Sequence, residues 1–493
     1  MKKLDRRTFF QAASAAALSA ALPKFADAEI AKQERPNILW ICTDQQRYDT
    51  IRALGNKYIR TPNLDRLVSE GVAFTHAHCQ SPICTPSRAS FLTGMYPETI
   101  QACMNGNEQW DEAAPLITKT LKDAGYDCGL AGKFHLSTAM IHEPEIRPVD
   151  DGYRRFWYSH SPNQGIGKGN QYTDWLESIG QDFEKLKEEH GYIPAEWHQT
   201  TWCADRAIEF MKEERTGPWL FSANIYDPHG PYDPPKKYID RFDIDALPEP
   251  LFRESDLAAQ EKLSAIMFQS KASRPIFPDV KETLAKYWAQ IELIDENVGR
   301  MLDTLEEIGQ RDNTIVLFTS DHGEMAGDHG LEYKGCRFYE GLVRVPLIVS
   351  WPKHFQQDLH SNALVELIDI APTLLEVAGL DIPETMQGRS LLPILEGKVS
   401  PDHHRDFARC VYYDALDGPK SYATMLRTRD HKLINYHGHD GLGELFDLRN
   451  DPGEFENQWD NPRYADARFD LMRKSFDALA LAVDKGPKRV GRY

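Results

Sequence analysis

Short, largely apolar runs recur along the first 350 residues, at 37–42, 72–75, 220–225, 314–319 and 343–349. Their length and composition fit strands buried on both faces. Helical spacing fills the intervals. Residues 61–67 read as a capped helix with Leu64 and Leu67 on one side, and residues 116–124 as a second, with a further strand starting at Gly125-Tyr126. The clearest helix is 286–308, where Ile291, Ile294, Val298, Met301, Leu302, Leu305 and Ile308 fall at spacings of three and four before Gly309. Residues 364–377 read as another. This alternation predicts an α/β fold, a mostly parallel sheet flanked by helices. After Gly379 the pattern changes. Segments 422–426 and 432–435 read as short antiparallel strands, and 469–483 as a helix against them. Residues 150–200 and 240–283 lack a sustained period and read as surface loops, the former lining a cleft.

Composition narrows the class. The 493 residues are 41% hydrophobic, with 20 Tyr, 22 Phe and 10 Trp, which excludes a disordered chain. A net charge of -18 argues against a nucleic-acid partner. The first residues stand apart: Arg6-Arg7 precede a mild apolar stretch, residues 12–22, and Ala26-Asp27-Ala28 has the small-x-small pattern of a cleavage site. That segment is too short for a stable membrane span. It reads as a twin-arginine export signal over residues 1–28, with a twin-arginine translocase as partner and a bacterial periplasm as destination. The 8 cysteines form no CxxC pair, and their pairing is not legible.

Candidate chemistry concentrates at Cys84-Thr85-Pro86-Ser87-Arg88. A thiol sits just outside the start of a short helix that Gly94 can close, with free amides and a guanidinium beside it. The run resembles the cysteine-type signature of the type I sulfatases, of the alkaline phosphatase-like superfamily. Residues 125–135, ending Gly132-Lys133-Phe134-His135, resemble that family's second signature, with Phe134 in place of the more usual tryptophan. Asp321-His322-Gly323-Glu324 through Lys334 resembles a third block.

The resemblance implies an alkaline phosphatase-like catalytic domain over 33–379 and a smaller antiparallel-sheet subdomain over 380–493. It implies that a maturase converts Cys84 to formylglycine (3-oxoalanine), whose hydrated aldehyde is the nucleophile. Asp44, Gln45, Asp321, His322 and residue 84 would hold one divalent metal. Gln45 and His322 depart from the more familiar Asp and Asn; Ca²⁺ is the first choice and Mn²⁺ the alternative, because imidazole favours a transition metal. Lys133 and Lys334 would hold sulfate oxygens, Arg88 orient the diol, and Asp321 accept a proton. His229 with Lys334 would protonate the leaving alcohol, and His135 would take the second hydroxyl's proton. The expected activity is hydrolysis of a sulfate ester on a carbohydrate or other small molecule. Arylsulfatase and phosphonate monoester hydrolase or phosphodiesterase activities are alternatives, and a catalytically dead glycan binder a distant third. Glu324 and Glu340 read as structural, and His329 as packing or a donor behind the site. His198 and Asn105 are candidates for substrate contact, and His142 and His160 carry no signal.

Overall fold

The computed structural model describes residues 35–107, 114–137, 145–161 and 169–482. The export signal and His142 lie outside them. In chain order the strands are β1 (Asn37–Thr43), β2 (Val72–His78), β3 (Asp127–Gly132), β4 (Arg155–Tyr158), β5 (Trp219–Asn224), β6 (Thr314–Ser320), β7 (Arg344–Val345), β8 (Leu347–Ser350) and β9 (Leu359–Glu366). These nine form one sheet in the order β4-β3-β5-β1-β6-β8-β2-β7, with β9 also paired to β2. From β4 to β6 every neighbour is parallel, whereas β8 runs antiparallel to both β6 and β2. The sheet is therefore mixed, with its parallel half carrying β1 and β6 at the centre.

The α-helices are α1 (Pro62–Ser69), α2 (Cys84–Thr93), α3 (Ile117–Asp123), α4 (Gln171–Ser178), α5 (Phe183–His190), α6 (Gln199–Met211), α7 (Lys236–Ile239), α8 (Glu254–Lys262), α9 (Asp279–Glu307), α10 (Glu340–Val343), α11 (Ile370–Val377), α12 (Leu392–Leu395) and α13 (Ala465–Leu481). No helix among the described residues is long and apolar enough to cross a membrane.

Four sequence expectations are corrected. Residues 240–283, read as a loop, hold α8 and the first turn of α9. Among the described residues, 150–200 hold an edge strand and two short α-helices, and α6 begins at their end. Their buried anchors are few, as with Tyr172 and Leu176 in α4 and Phe183 and Leu186 in α5, so the helical period is weak. The expected helix at 364–377 is a strand followed by a helix. Pairing with β2 captures Leu364 and Val365, and the Asp369 carboxylate then accepts from Glu366 N to start the next turn. The run at 343–349 is two strands, β7 and β8, divided at Pro346, which has no N–H for a ladder.

The start of α1 is capped from outside. Asp295, on α9, accepts from Asn63 N at 3.0 Å and Leu64 N at 2.7 Å. Asp295→Ala should cost about 1–3 kcal/mol by leaving these amides unsatisfied. A lower urea midpoint with an unchanged slope would show it.

The C-terminal residues form a second, antiparallel sheet, β10 (Phe407–Tyr413), β11 (Tyr422–Thr428), β12 (His431–His437) and β13 (Gly443–Asp447), paired in sequence order. Alternation along it gives two faces. Cys410, Tyr412, Met425 and Ile434 belong to the same apolar cluster as Ile38 and Phe74 of the large sheet. Leu426, Leu433 and Leu445 pack instead with Leu471 of α13. Lys432 ties the sheets together, its Nζ 2.9 Å from Glu340 and 2.6 Å from Glu454.

Candidate active site

The site forms at the carboxyl edge of the parallel strands, where such sheets place ligands. Register makes it inevitable: Thr43 ends β1 opposite Ser320, the end of β6, so Asp44-Gln45 and Asp321-His322 leave side by side. Likewise Gly132 ends β3 opposite Asn224 of β5. Gly132 has φ +104, and a Cβ there would collide with Asn224 O, so only glycine permits this exit. Lys133 follows, its N donating to Asn224 O at 2.9 Å.

Helix α2 points its first turn into the same space. Cys84 is its first residue, rather than lying just outside, and Ile83 precedes it as cap. Ser87 Oγ donates to Asp321 O at 2.6 Å, clamping the helix start to the end of β6. Gly94 closes the helix at φ +69, as expected.

Around Cys84 Sγ lie Lys334 Nζ at 2.8 Å, His322 Nε2 at 3.2 Å, Lys133 Nζ at 3.4 Å and Asp44 Oδ1 at 3.6 Å. Lys133 Nζ also donates to Asp44 Oδ2. All five side chains are buried. Burial and Asp44 disfavour a thiolate here, but Lys133, Lys334 and His322 outweigh them and hold the thiol well below its ordinary pKa. Asp44 is held down in the same way: burial opposes ionisation, and Lys133, His229, Lys334 and Arg88 prevail.

Arg88 does not donate to residue 84. Its Nε reaches Asp321 Oδ2 at 2.9 Å, Nη1 reaches Lys133 O at 2.8 Å and Nη2 reaches Asp44 Oδ2 at 3.4 Å. It braces the two acids. Asp321 is equally committed, since its Oδ1 accepts from Gln45 N at 3.0 Å and His322 N at 2.9 Å. A carboxylate held by these donors has a fixed orientation, as a ligand's must be.

Asp44, Cys84, Asp321 and His322 each place a donor atom within 4.8 Å of the others. His322 Nδ1 faces Gly323 O at 2.9 Å, which puts its proton there and leaves Nε2 for the cluster. Gln45, next to Asp44, has a backbone at φ +70. Its Nε2 donates to Glu324, while Oε1 is buried with no hydrogen-bond partner among the described residues. Glu324, read as structural from sequence, thus sets which end of the Gln45 amide is left for a ligand. Tyr232 OH, 3.2 Å from Glu324 Oε2, supports it in turn.

On the facing side, His135 has φ +57 and a buried Nδ1 without a partner among the described residues. Glu145 holds this turn by accepting from the amides of His135 (2.6 Å), Leu136 and Ser137 (3.0 Å). His135 is kept neutral, because burial and then Lys133 push its pKa far down. His229 Nδ1 lies 2.7 Å from Gly230 O and 2.9 Å from Tyr226 OH. Glu145 and Tyr226 left no mark in the sequence reading, since neither lies in a recognised motif and each acts only by holding a histidine.

The remaining candidates have protein partners of their own. His329 stacks on Tyr339 at 3.8 Å and meets Asp256 at 3.2 Å. Glu340 pairs with Lys432 between the sheets. His198 caps α6 by accepting from Thr200 N, and Asn105 accepts from Thr85 N in α2.

The family model described as Sulfatase matches residues 36–380, and the one described as N-sulphoglucosamine sulphohydrolase, C-terminal, matches residues 327–480. An arylsulfatase of Clostridium perfringens is 30% identical, over 89% of this chain and 93% of its own. The N-acetylglucosamine-6-O-sulfatase of Bacteroides thetaiotaomicron is 28% identical, over 93% of this chain and 88% of its own. Among solved structures, the phosphonate monoester hydrolase of Agrobacterium radiobacter is similar at a TM-score of 0.80 and 26% identity, over 92% of this chain and 97% of that one. Likeness of this extent, running through both sheets, places the chain in the sulfatase family, as a sulfuric ester hydrolase with the alkaline phosphatase-like fold.

Proposed function

We propose that the protein cleaves a sulfate ester on a carbohydrate, using a formylglycine made from Cys84 and one divalent cation, after twin-arginine export to the periplasm. The observation that carries this reading is the pair of ammonium groups, Lys133 and Lys334, converging on a buried residue 84 beside the carboxylates of Asp44 and Asp321 and the imidazole of His322. Anionic esters resist nucleophiles by repulsion, so such a site must first neutralise charge. The N-acetylglucosamine-6-O-sulfatase among the relatives supports a sugar substrate. Phosphonate ester hydrolysis is less favoured, because the family model and both curated relatives described above are sulfatases.

The donor set fits a cation. Asp44, Asp321, Gln45 Oε1 and His322 Nε2 would hold it, and the orphaned amide oxygen is the polar atom that most needs one. Three oxygen donors keep Ca²⁺ as first choice, with Mn²⁺ as the alternative that the imidazole favours. When bound, the cation neutralises ester oxygens and lowers the pKa of an adjacent hydroxyl. The hydrated aldehyde supplies one hydroxyl for attack and a second whose deprotonation frees the product.

The chain's own groups do the rest. Lys133 and Lys334 bind sulfate oxygens, while Arg88 locks Asp44 and Asp321 in place. Neutral His135, whose Nδ1 has no partner among the described residues, takes the proton of the second hydroxyl. Nδ1 of His229 holds its proton toward Gly230 O, leaving Nε2 for the leaving oxygen. Burial and Lys334 push its pKa down to about 3 in the free protein. A bound anionic ester opposes Lys334 and raises the proton affinity of His229, so the two share the proton that the alcohol takes. His229→Ala should therefore slow sugar sulfates about 100-fold and 4-nitrophenyl sulfate, whose leaving group needs little help, about threefold. Equal slowing of both would remove His229 from leaving-group protonation.

The function is tested by inorganic sulfate release from mono- and oligosaccharide sulfates, with an aryl sulfate and an aryl phosphonate monoester alongside. Phosphonate turnover ahead of every sulfate would overturn the reading. Chelator treatment should abolish release and lower the melting temperature, and elemental analysis of protein purified without chelator should find one Ca²⁺. Stoichiometric Mn²⁺ would refute that choice of metal.

A further inference from the structure

Strand β4 pairs in parallel with β3, Tyr158 opposite Gly132, and Ser159 N extends the ladder to Gly132 O at 3.0 Å. Residue 160 therefore leaves the sheet at the same carboxyl edge as Lys133 and His135. Gln199, at the start of α6, fixes the exit: its Nε2 donates to Ser159 Oγ at 2.7 Å and His160 O at 2.8 Å. The His160 ring then stands edge-on to His135, centroids 4.9 Å apart, and lies 5.8 Å from Tyr226. Tyr226 bonds His229, and Lys133 Nζ sits 5.4 Å from its ring centre. The four rings make one wall beside residue 84, on the side that His229 assigns to the leaving alcohol. His160 Nε2 is buried in this wall with no hydrogen-bond partner among the described residues. An orphan of that kind costs about 1–3 kcal/mol, and the chemistry above does not use it.

We infer that His160 is a specificity-determining residue: its Nε2 bonds a hydroxyl on the alcohol portion of the substrate, so the site selects sulfates of polyhydroxylated alcohols over hydroxyl-free ones. The inference rests on the carbohydrate reading and on His229 facing the leaving oxygen. Burial, then Lys133 and His135, holds the His160 pKa well below its ordinary value, so the ring is neutral. A neutral imidazole nitrogen suits a hydroxyl, which can donate or accept, better than it suits the sulfate anion. A site built around such a bond rejects the analogue lacking the hydroxyl far more strongly than an apolar pocket discriminates.

The test uses the matured, metal-loaded enzyme with His160→Phe and His160→Asn. The substrates are sulfated glucose, galactose and N-acetylglucosamine, of which the fastest is carried forward, and cyclohexylmethyl sulfate, an alkyl sulfate with no further hydroxyl. His160→Phe should lower kcat/KM for the sugar sulfate about 100-fold, chiefly through KM, and change cyclohexylmethyl sulfate by less than about threefold. His160→Asn, which restores a polar group, should recover about tenfold of the loss. The alkyl sulfate rate reports whether each variant has folded. Intact sugar turnover in His160→Phe, or equal losses on both substrates, would overturn this inference alone. A wild-type enzyme that cleaves cyclohexylmethyl sulfate as fast as the sugar would do the same. No turnover of any sulfated sugar would overturn the carbohydrate reading and this inference with it.

Discussion

Replacing Cys84 with alanine is expected to abolish sulfate release, a fall of about 10⁵-fold or more in kcat. Every other group around residue 84 can bind, polarise or carry a proton; none of them is placed to supply the attacking oxygen. Folding should survive, because α2 is buried along its whole length and alanine favours a helix. Cys84→Ser is the sharper probe. A single hydroxyl at that position can accept the sulfo group but has no second hydroxyl with which to expel it. One equivalent of alcohol should appear without sulfate, and peptide mass spectrometry should find the sulfo group retained at position 84. Repeated turnover by Cys84→Ser would overturn the aldehyde chemistry. Mass analysis of the wild-type peptide, seeking the loss of sulfur and gain of a carbonyl, tests the modification independently of activity.

Lys334→Met should lower kcat/KM about 10³-fold for sugar sulfates. Methionine keeps the apolar stem and removes the ammonium that lies 2.8 Å from Cys84 Sγ and 3.2 Å from His322 Nε2. Both sulfate binding and leaving-group protonation lose the same charge. The cation should respond in the opposite sense. Lys133, Lys334 and Arg88 surround two carboxylates, Asp44 and Asp321, so deleting one ammonium relieves repulsion on a bound divalent ion. Calorimetric titration should find the metal held at least as tightly as in the wild type. Weakened metal binding together with lost turnover would make Lys334 a structural support instead.

Several features were already legible along the chain. The stripe from Ile291 to Ile308 announced α9, because seven apolar residues on one face have no other way to leave water. The runs at 37–42 and 314–319 announced β1 and β6, and the polar residues after each lay where strand ends deliver them. The Cys84 and Lys133 segments carried their chemistry in contiguous residues. Other elements were hidden. The end of strand β9, residues 364–366, was read as helix because Leu364 and Val365 follow neither period cleanly, and only the edge of β2 decides between them. Residues 150–200 lacked a pattern because few buried anchors hold their short elements, and with them His160 was passed over.

The sequence alone determined which chemical groups the protein possesses and which strands carry them to one edge, since local periodicity and short motifs encode both. It did not determine who touches whom. That Arg88 braces Asp44 and Asp321, that Glu324 turns the Gln45 amide, that Glu145 holds the His135 turn, and that His160 closes the wall beside His229 follow from separations of 10 to 279 residues closed by the sheet. Contacts of that range depend on parallel register and helix placement, which only the packed core fixes.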